Sequence, residues 1–166
     1  MTDIDRPEPE ILVEFLRRSY QTVDGLWFMK VEEVSGFDHA LEIDRRVWAV
    51  VAKIQARKAR EAIRAPGNTL NDLARCFALK LSADGHAFAA QMTPTAVRFA
   101  VTQCPWLDLL RKSDRQHLAQ RISQTICPTE GQAWCAEFGG DYEFEMPSMA
   151  CAGDDRCSLA FTRKNA

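Results

Sequence analysis

The hydrophobic pattern changes period along the chain, and the changes mark out the elements. Residues 1–8 are polar and read as a flexible tail, and 9–166 read as a single domain. Pro9 suits the first turn of a helix. "EILVEFLRRSY" then carries apolar residues at helical spacing, and "VDGLWFMKVEEVSG" predicts a second short helix ended by Gly36. The longest helical pattern, "FDHALEIDRRVWAVVAKIQARKAREAIRAPG", stops at Pro66-Gly67. Asn68 or Thr69 is placed to cap a further helix with Leu70, Leu73, Ala74, Phe77 and Leu81 on one face.

From there the period shortens. "HAFAAQMTPTAVRFAVTQCPW" alternates around Thr93-Pro94 and predicts strands over 87–92 and 96–103. "WLDLLRKSDRQHLAQRISQTIC" returns to helix, with a break near Ser113, and "TEGQAWCAEFGG" adds a short helix ending at Gly139-Gly140. "DYEFEMPSMA" and "RCSLAFTRK" predict a closing strand pair over 142–150 and 156–163. Two strand pairs separated by helices predict an α+β fold. It has a four-stranded, mainly antiparallel sheet, N-terminal helices and a helical insertion between the two strand pairs.

Composition narrows the partners. With 21 Lys+Arg against 23 Asp+Glu the net charge is −2, and acids and bases are interspersed. No basic field points to nucleic acid and no polybasic patch points to a membrane surface. The polar start "MTDIDRPEPE" is not a secretory signal, and no apolar run reaches the ~20 residues of a bilayer span. The expectation is a cytoplasmic protein with a small-molecule ligand or substrate, and a homo-oligomer is left open.

Six cysteines in a reducing compartment read as thiols, ligands or catalytic groups before disulfides. No CxxC occurs, so a zinc ribbon has little support. Cys76 reads as structural. Cys104 sits where a strand ends and "PW" opens a helix, a place where backbone N–H groups favour the thiolate. If 127–138 were one helix, Cys127 and Cys135 would be ~12 Å apart and could not share a metal. Cys151 and Cys157 flank "AGDDR", a turn that can carry them to opposite rims of a hairpin. Asp44 falls near the middle of an apolar arc formed by Phe37, Ala40, Leu41, Val47, Trp48, Val51 and Ile54. A carboxylate there must be paired, hydrogen-bonded or ligating. The three histidines, His39, His86 and His117, read as surface or boundary residues.

The segments "TQCPW", "TICPTEGQAW" and "GDDRCSLAF" resemble the bacterial family related to L-2-amino-thiazoline-4-carboxylic acid hydrolase. "GFDHALEIDRRVW" looks like a helix of an uncharacterised branch of it. The closing "C-x-G-D-x-x-C" also resembles the hairpin of vinyl-reductase-type small-ligand domains, with the first gap one residue shorter. The resemblance spans about residues 24–163 and implies an α+β domain with a cysteine-lined pocket. It carries the family's positions onto Cys104, Cys127 with Glu130, and Gly153 with Cys157.

Two functions follow as expectations. The first is a hydrolase acting on C–N or C–S bonds of a small ring or amide, with Cys127 and Asp44 catalytic and Trp106, Trp134 and Cys157 in the ligand pocket. The second is a non-catalytic sensor or carrier holding zinc or iron through Cys104, Cys127, Cys157 and Asp44, with the three sulfurs ~4–5 Å apart. A plain core that happens to contain cysteines stands beside them.

Overall fold

The computed structural model describes residues 6–164. The expected tail therefore lies mostly outside the described residues. The chain divides into two compact units, residues 1–40 and 41–166, which are taken separately.

The first unit is dominated by helix α1, Pro9–Ser35. The sequence predicts two helices here, but one uninterrupted helix forms. Gly25 weakens a helix without stopping it, by about 1 kcal/mol relative to Ala. The true stop is Gly36, at φ +83°, whose N–H bonds the Glu32 carbonyl at 2.8 Å. Helix α2, Phe37–Ala62, starts at the next residue.

The second unit holds the sheet and the core. Thr69 caps helix α3, Leu70–Asp84, through a capping box with Asp72, and left-handed Gly85 ends it. Strands β1 (Ala87–Met92) and β2 (Ala96–Gln103) form a hairpin. Helix α4 (Pro105–Lys112) and a 3-10 turn at Gln116–Leu118 lead into α5, Ala119–Glu137. Strand β3 (Tyr142–Ser148), a 3-10 turn at Ala150–Ala152 and strand β4 (Cys157–Arg163) close the chain. The four strands make one antiparallel sheet in the order β1-β2-β4-β3, as the alternation predicts.

One face of that sheet makes the core. Val97, Phe99 and Val101 of β2 and Leu159 and Phe161 of β4 point inward, while Arg98 and Thr162 point out. Phe77 of α3 stands at the centre, with ring centroids 5.2 Å from Phe99, 5.1 Å from Trp134 and 4.8 Å from Phe161. Tilted and edge-to-face contacts of this kind contribute ~0.5–1.5 kcal/mol each beyond area burial.

Helix α5 lies close against β3 because position 131 is glycine. A Cβ there would sit 2.2 Å from the Phe144 ring. The sequence predicts separate helices on either side of Pro128, with Pro128 in a first turn. Instead α5 runs through it. Packing of the flanking apolar face outweighs the one backbone hydrogen bond that proline removes.

The buried side of α2 also differs from expectation. Ala52, Ala56 and Ala59 face inward with Leu41 and Trp48, while Val47 and Ile54 are exposed. Small residues allow close approach, so the large apolar side chains do not mark the buried face here. Arg57 and Arg60 tie α2 to the end of α5. Arg57 makes two 2.8 Å bonds to the Glu137 carboxylate, and Arg60 donates to the Glu137 carbonyl at 2.9 Å. Among the described residues no helix is long and apolar enough to cross a membrane.

Candidate functional site

Strand β2 is longer than its neighbour β4, and a cleft fills the difference. The β2–β4 ladder ends at the pair Val101–Cys157. Thr102 and Gln103 continue beside β1 alone, with an irregularity in the pairing there. Bulges of this kind re-aim side chains at the rims of sheets. Thr102 answers by donating its hydroxyl to the Ala87 carbonyl at 3.3 Å.

The cleft has a volume of about 370 Å³. Val101, Thr102, Gln103 and Cys104 form one wall, and Leu107, Asp108 and Arg111 of α4 form the second. Ala150, Asp154, Asp155 and Cys157 close the third. Asp108 accepts from the Gln103 amide at 3.2 Å and from Arg111 at 3.4 Å, so the first two walls are held together. Three carboxylates against one guanidinium leave the lining with an excess of negative charge.

The third wall is the Cys151–Cys157 turn. Asp154 folds back so that its carboxylate accepts from the Met149 N–H at 2.7 Å, and Gly153 takes the left-handed conformation at φ +104°. The Ala150 N–H donates to the Cys157 sulfur at 3.3 Å. Ser148 caps the other side by donating to the Arg156 carbonyl at 3.0 Å. Cys151 and Cys157 are both free thiols, so this is a hydrogen-bonded hairpin turn and not a disulfide clip.

Behind the cleft lies a second polar group, on the core faces of α3 and α5. Lys80 is buried and sits 2.8 Å from Glu130 Oε2, 2.7 Å from Glu130 Oε1 and 3.2 Å from Asp84 Oδ2. Burial alone would drive the ammonium to lose its proton, but the two carboxylates outweigh burial and raise its pKa. Glu130 is raised by burial, with Lys80 pulling the other way. The neighbouring Asp84 charge adds to the rise. His86, beside this cluster, is pushed down to about 4, first by burial and then by the Lys80 charge.

The cysteines link the two regions. Cys127 lies one turn before Glu130 on α5, and its sulfur is 3.7 Å from the Ser123 hydroxyl. Ser123 also hydrogen-bonds Cys151, which lowers that thiol's pKa against the larger upward effect of burial. Burial pushes Cys127 up to about 12, with Glu130 adding to it. Burial likewise pushes Cys104 up to about 11. The N–H groups of Leu107 and Trp106 pull Cys104 the other way, at a geometry too loose for a cap bond. The helix N-terminus therefore does not make Cys104 the thiolate that the sequence suggests, because desolvation is the larger effect. At neutral pH both groups are neutral thiols.

The predicted site residues thus divide. Cys104 and Cys157 line the cleft, and Cys127 lies behind it beside Glu130. Asp44 is half-buried on α2 and is not part of the cleft lining. Trp106 is half-buried and packs edge-to-face on Trp48 at 5.5 Å, outside the lining. Trp134 belongs to the core, fully buried between Phe77 and Phe138. Among the described residues no group of three or more His, Cys, Asp or Glu side chains is arranged to hold a metal ion. Cys104, Cys127, Cys157 and Asp44 therefore form no such group among the described residues.

Sequence reasoning missed Lys80, Asp84 and Arg111. Lys80 and Asp84 had a signal: they continue the apolar face of Leu73, Phe77 and Leu81 and are as out of place there as Asp44 seemed on α2. Arg111 had none, since its role depends on where α4 meets the turn.

A family model for a family of unknown function, DUF6125, matches residues 6–161, and the chain belongs to that family. No curated protein matches the chain.

Proposed function

We propose that this DUF6125 protein is a small-ligand-binding module whose site is the cleft beyond the Val101–Cys157 pair. One observation carries the reading. β2 outruns β4, and the gap is walled by charged side chains whose positions are fixed by hydrogen bonds. A concave site with a few fixed polar groups is the usual form of a ligand pocket. The lining selects the ligand class. Asp108, Asp154 and Asp155 favour an amine or amidine cation, and Arg111 offers a place for one carboxylate. A small zwitterion of amino-acid size suits both. Cys104 and Cys157 supply soft sulfur contact surface on two of the walls.

Binding without covalent chemistry is favoured because Cys104 and Cys127 are held protonated at neutral pH, and the thiol form is a weak nucleophile. The test is thermal unfolding against a panel of small amines, carboxylates and amino acids. Amines and zwitterions should raise the midpoint, and simple carboxylates should not. Asp155→Asn should weaken the response to amines, and Arg111→Met the response to zwitterions only. A panel with no stabilising member rejects the reading.

A second reading keeps the hydrolase expectation, favoured by Glu130 lying one turn from Cys127 with Lys80 against its carboxylate. In it, Glu130 accepts the Cys127 proton once a ligand enters and the Cys127 sulfur bonds to the acyl-type carbon of a small ring or amide; the C–N or C–S bond of that carbon breaks as Glu130 returns the proton to the departing nitrogen or sulfur, and water then hydrolyses the thioester and restores the thiol. A covalent adduct on Cys127, seen by intact mass after exposure to thiazoline or amide substrates, distinguishes this reading from binding alone. Zinc or iron held by the thiols would displace their protons, and elemental analysis of untagged protein tests that role.

A further inference from the structure

Four of the six cysteines are neighbours around the cleft. Cys104 feels the Cys151 and Cys157 thiols electrostatically, Cys127 feels Cys104, and Cys151 feels Cys157. No thiol acts on Cys76 or Cys135 in this way. Within the group, two are held by helices. Cys104 opens α4 and its carbonyl accepts the Asp108 N–H at 3.1 Å, and Cys127 lies inside α5. The other two flank the turn. Cys151 sits in a three-residue 3-10 turn closed by left-handed Gly153, and Cys157 opens β4. The Cys157 sulfur accepts the Ala150 N–H at 3.3 Å, so it rests against the backbone of the residue before Cys151. One peptide separates that N–H from the Cys151 Cα, which puts the Cα within ~8 Å of the sulfur. Joining these two thiols asks for side-chain rotation and adjustment of a short turn, with no helix to move.

We propose that Cys151 and Cys157 are a redox-active pair that exchanges with low-molecular-weight disulfides entering the cleft. Cys157 gives up its proton and its sulfur attacks one sulfur of the incoming S–S bond. That bond breaks, and half of the ligand leaves, taking up a proton to become a thiol. Cys151 then gives up its proton and attacks the Cys157 sulfur of the mixed disulfide. The Cys151–Cys157 bond forms, and the second half of the ligand leaves as a thiol. The two electrons lost by the pair reduce the ligand disulfide to two thiols, so no further oxidant is required. A donor stands at each sulfur where negative charge develops: the Ala150 N–H at Cys157 and the Ser123 hydroxyl at Cys151. Cys157 attacks first because it lines the cleft and Cys151 does not. Cys104 also lines the cleft, but burial pushes its thiol up to about 11 and keeps it protonated. The inference is independent of amine binding, since it uses the cleft as an entrance and none of its charged groups.

The test is exposure of the reduced full chain to 2-hydroxyethyl disulfide, read by intact mass and peptide mapping. Wild type should lose the mass of two hydrogens, carry a Cys151–Cys157 disulfide and release 2-mercaptoethanol. Cys151→Ser should stop at a mixed disulfide on Cys157 that persists about 100-fold longer than in wild type. Cys157→Ser should slow the reaction about 100-fold, with circular dichroism as the folding control. The adduct mapped in Cys151→Ser identifies the attacking thiol even where Cys157→Ser does not fold. Folded wild type that stays reduced under a probe excess that oxidises the urea-unfolded chain overturns the proposal. So does an adduct on Cys104 or Cys127 in Cys151→Ser, or a wild-type disulfide that joins any other two cysteines.

Discussion

Val101 and Cys157 are the last partners of the β2–β4 ladder, and the cleft begins where their pairing ends. Ladder and cleft share these two residues: both side chains are buried, Cys157 accepts the Ala150 N–H, and the charged lining lies just beyond. The same residue pair therefore fixes sheet register and site position. A shift of one residue in β4 would turn Leu159 and Phe161 out of the core.

The buried Lys80 cluster makes an asymmetric prediction. Lys80→Met leaves Glu130 and Asp84 as two buried carboxyls without their cation, a change that should cost about 3–5 kcal/mol. Glu130→Gln leaves one cation with one carboxylate, removes the excess charge, and should cost no more than about 1 kcal/mol. Urea unfolding of both variants checks the difference, and equal losses would contradict the charge balance.

His86 gives the pH dependence. Its folded pKa of about 4 lies below the ordinary 6.5, so between those values the unfolded chain binds the proton and the folded chain does not. Stability should therefore fall as pH drops from about 6.5 to 4, by up to about 3 kcal/mol from this residue. His86→Gln should flatten that part of the unfolding profile. A profile unchanged by the substitution would mean that His86 titrates normally in the fold.

Gly131 is required by a neighbour and not by its own backbone. Its Cβ would overlap the Phe144 ring, so Gly131→Ala should destabilise by about 1–3 kcal/mol. Phe144→Leu in the same chain should recover part of the loss, because the branched side chain can move away from α5. Denaturation midpoints of the single and double variants report the coupling.

The sheet was legible in the sequence because alternation along β1 to β4 survives wherever one strand face is buried. Phe99, Val101, Leu159 and Phe161 all obey it. The helix boundaries were less legible where tertiary packing overrides a local breaker. The break read between Tyr20 and Val23 does not form, and α5 passes through Pro128. The site was half legible. Cys104, Cys127 and Cys157 were expected together at a pocket on the sheet edge; Cys104 and Cys157 line the cleft and Cys127 does not. Asp44 and Trp134 lie outside the cleft lining, Asp44 half-buried on α2 and Trp134 within the aromatic core. Arg111 and the Lys80 cluster depend on contacts between distant segments, which no local pattern encodes.

The central claim is that the cleft beyond Val101 and Cys157 is the ligand site. A titration of isotopically labelled protein with small amines and amino-acid zwitterions, followed by backbone amide shifts, tests it most directly. The predicted result is saturable shifts confined to Thr102, Gln103, Cys104, Arg111, Asp154 and Asp155, lost in Asp155→Asn. Saturable shifts that map elsewhere, or none across the panel, would contradict it.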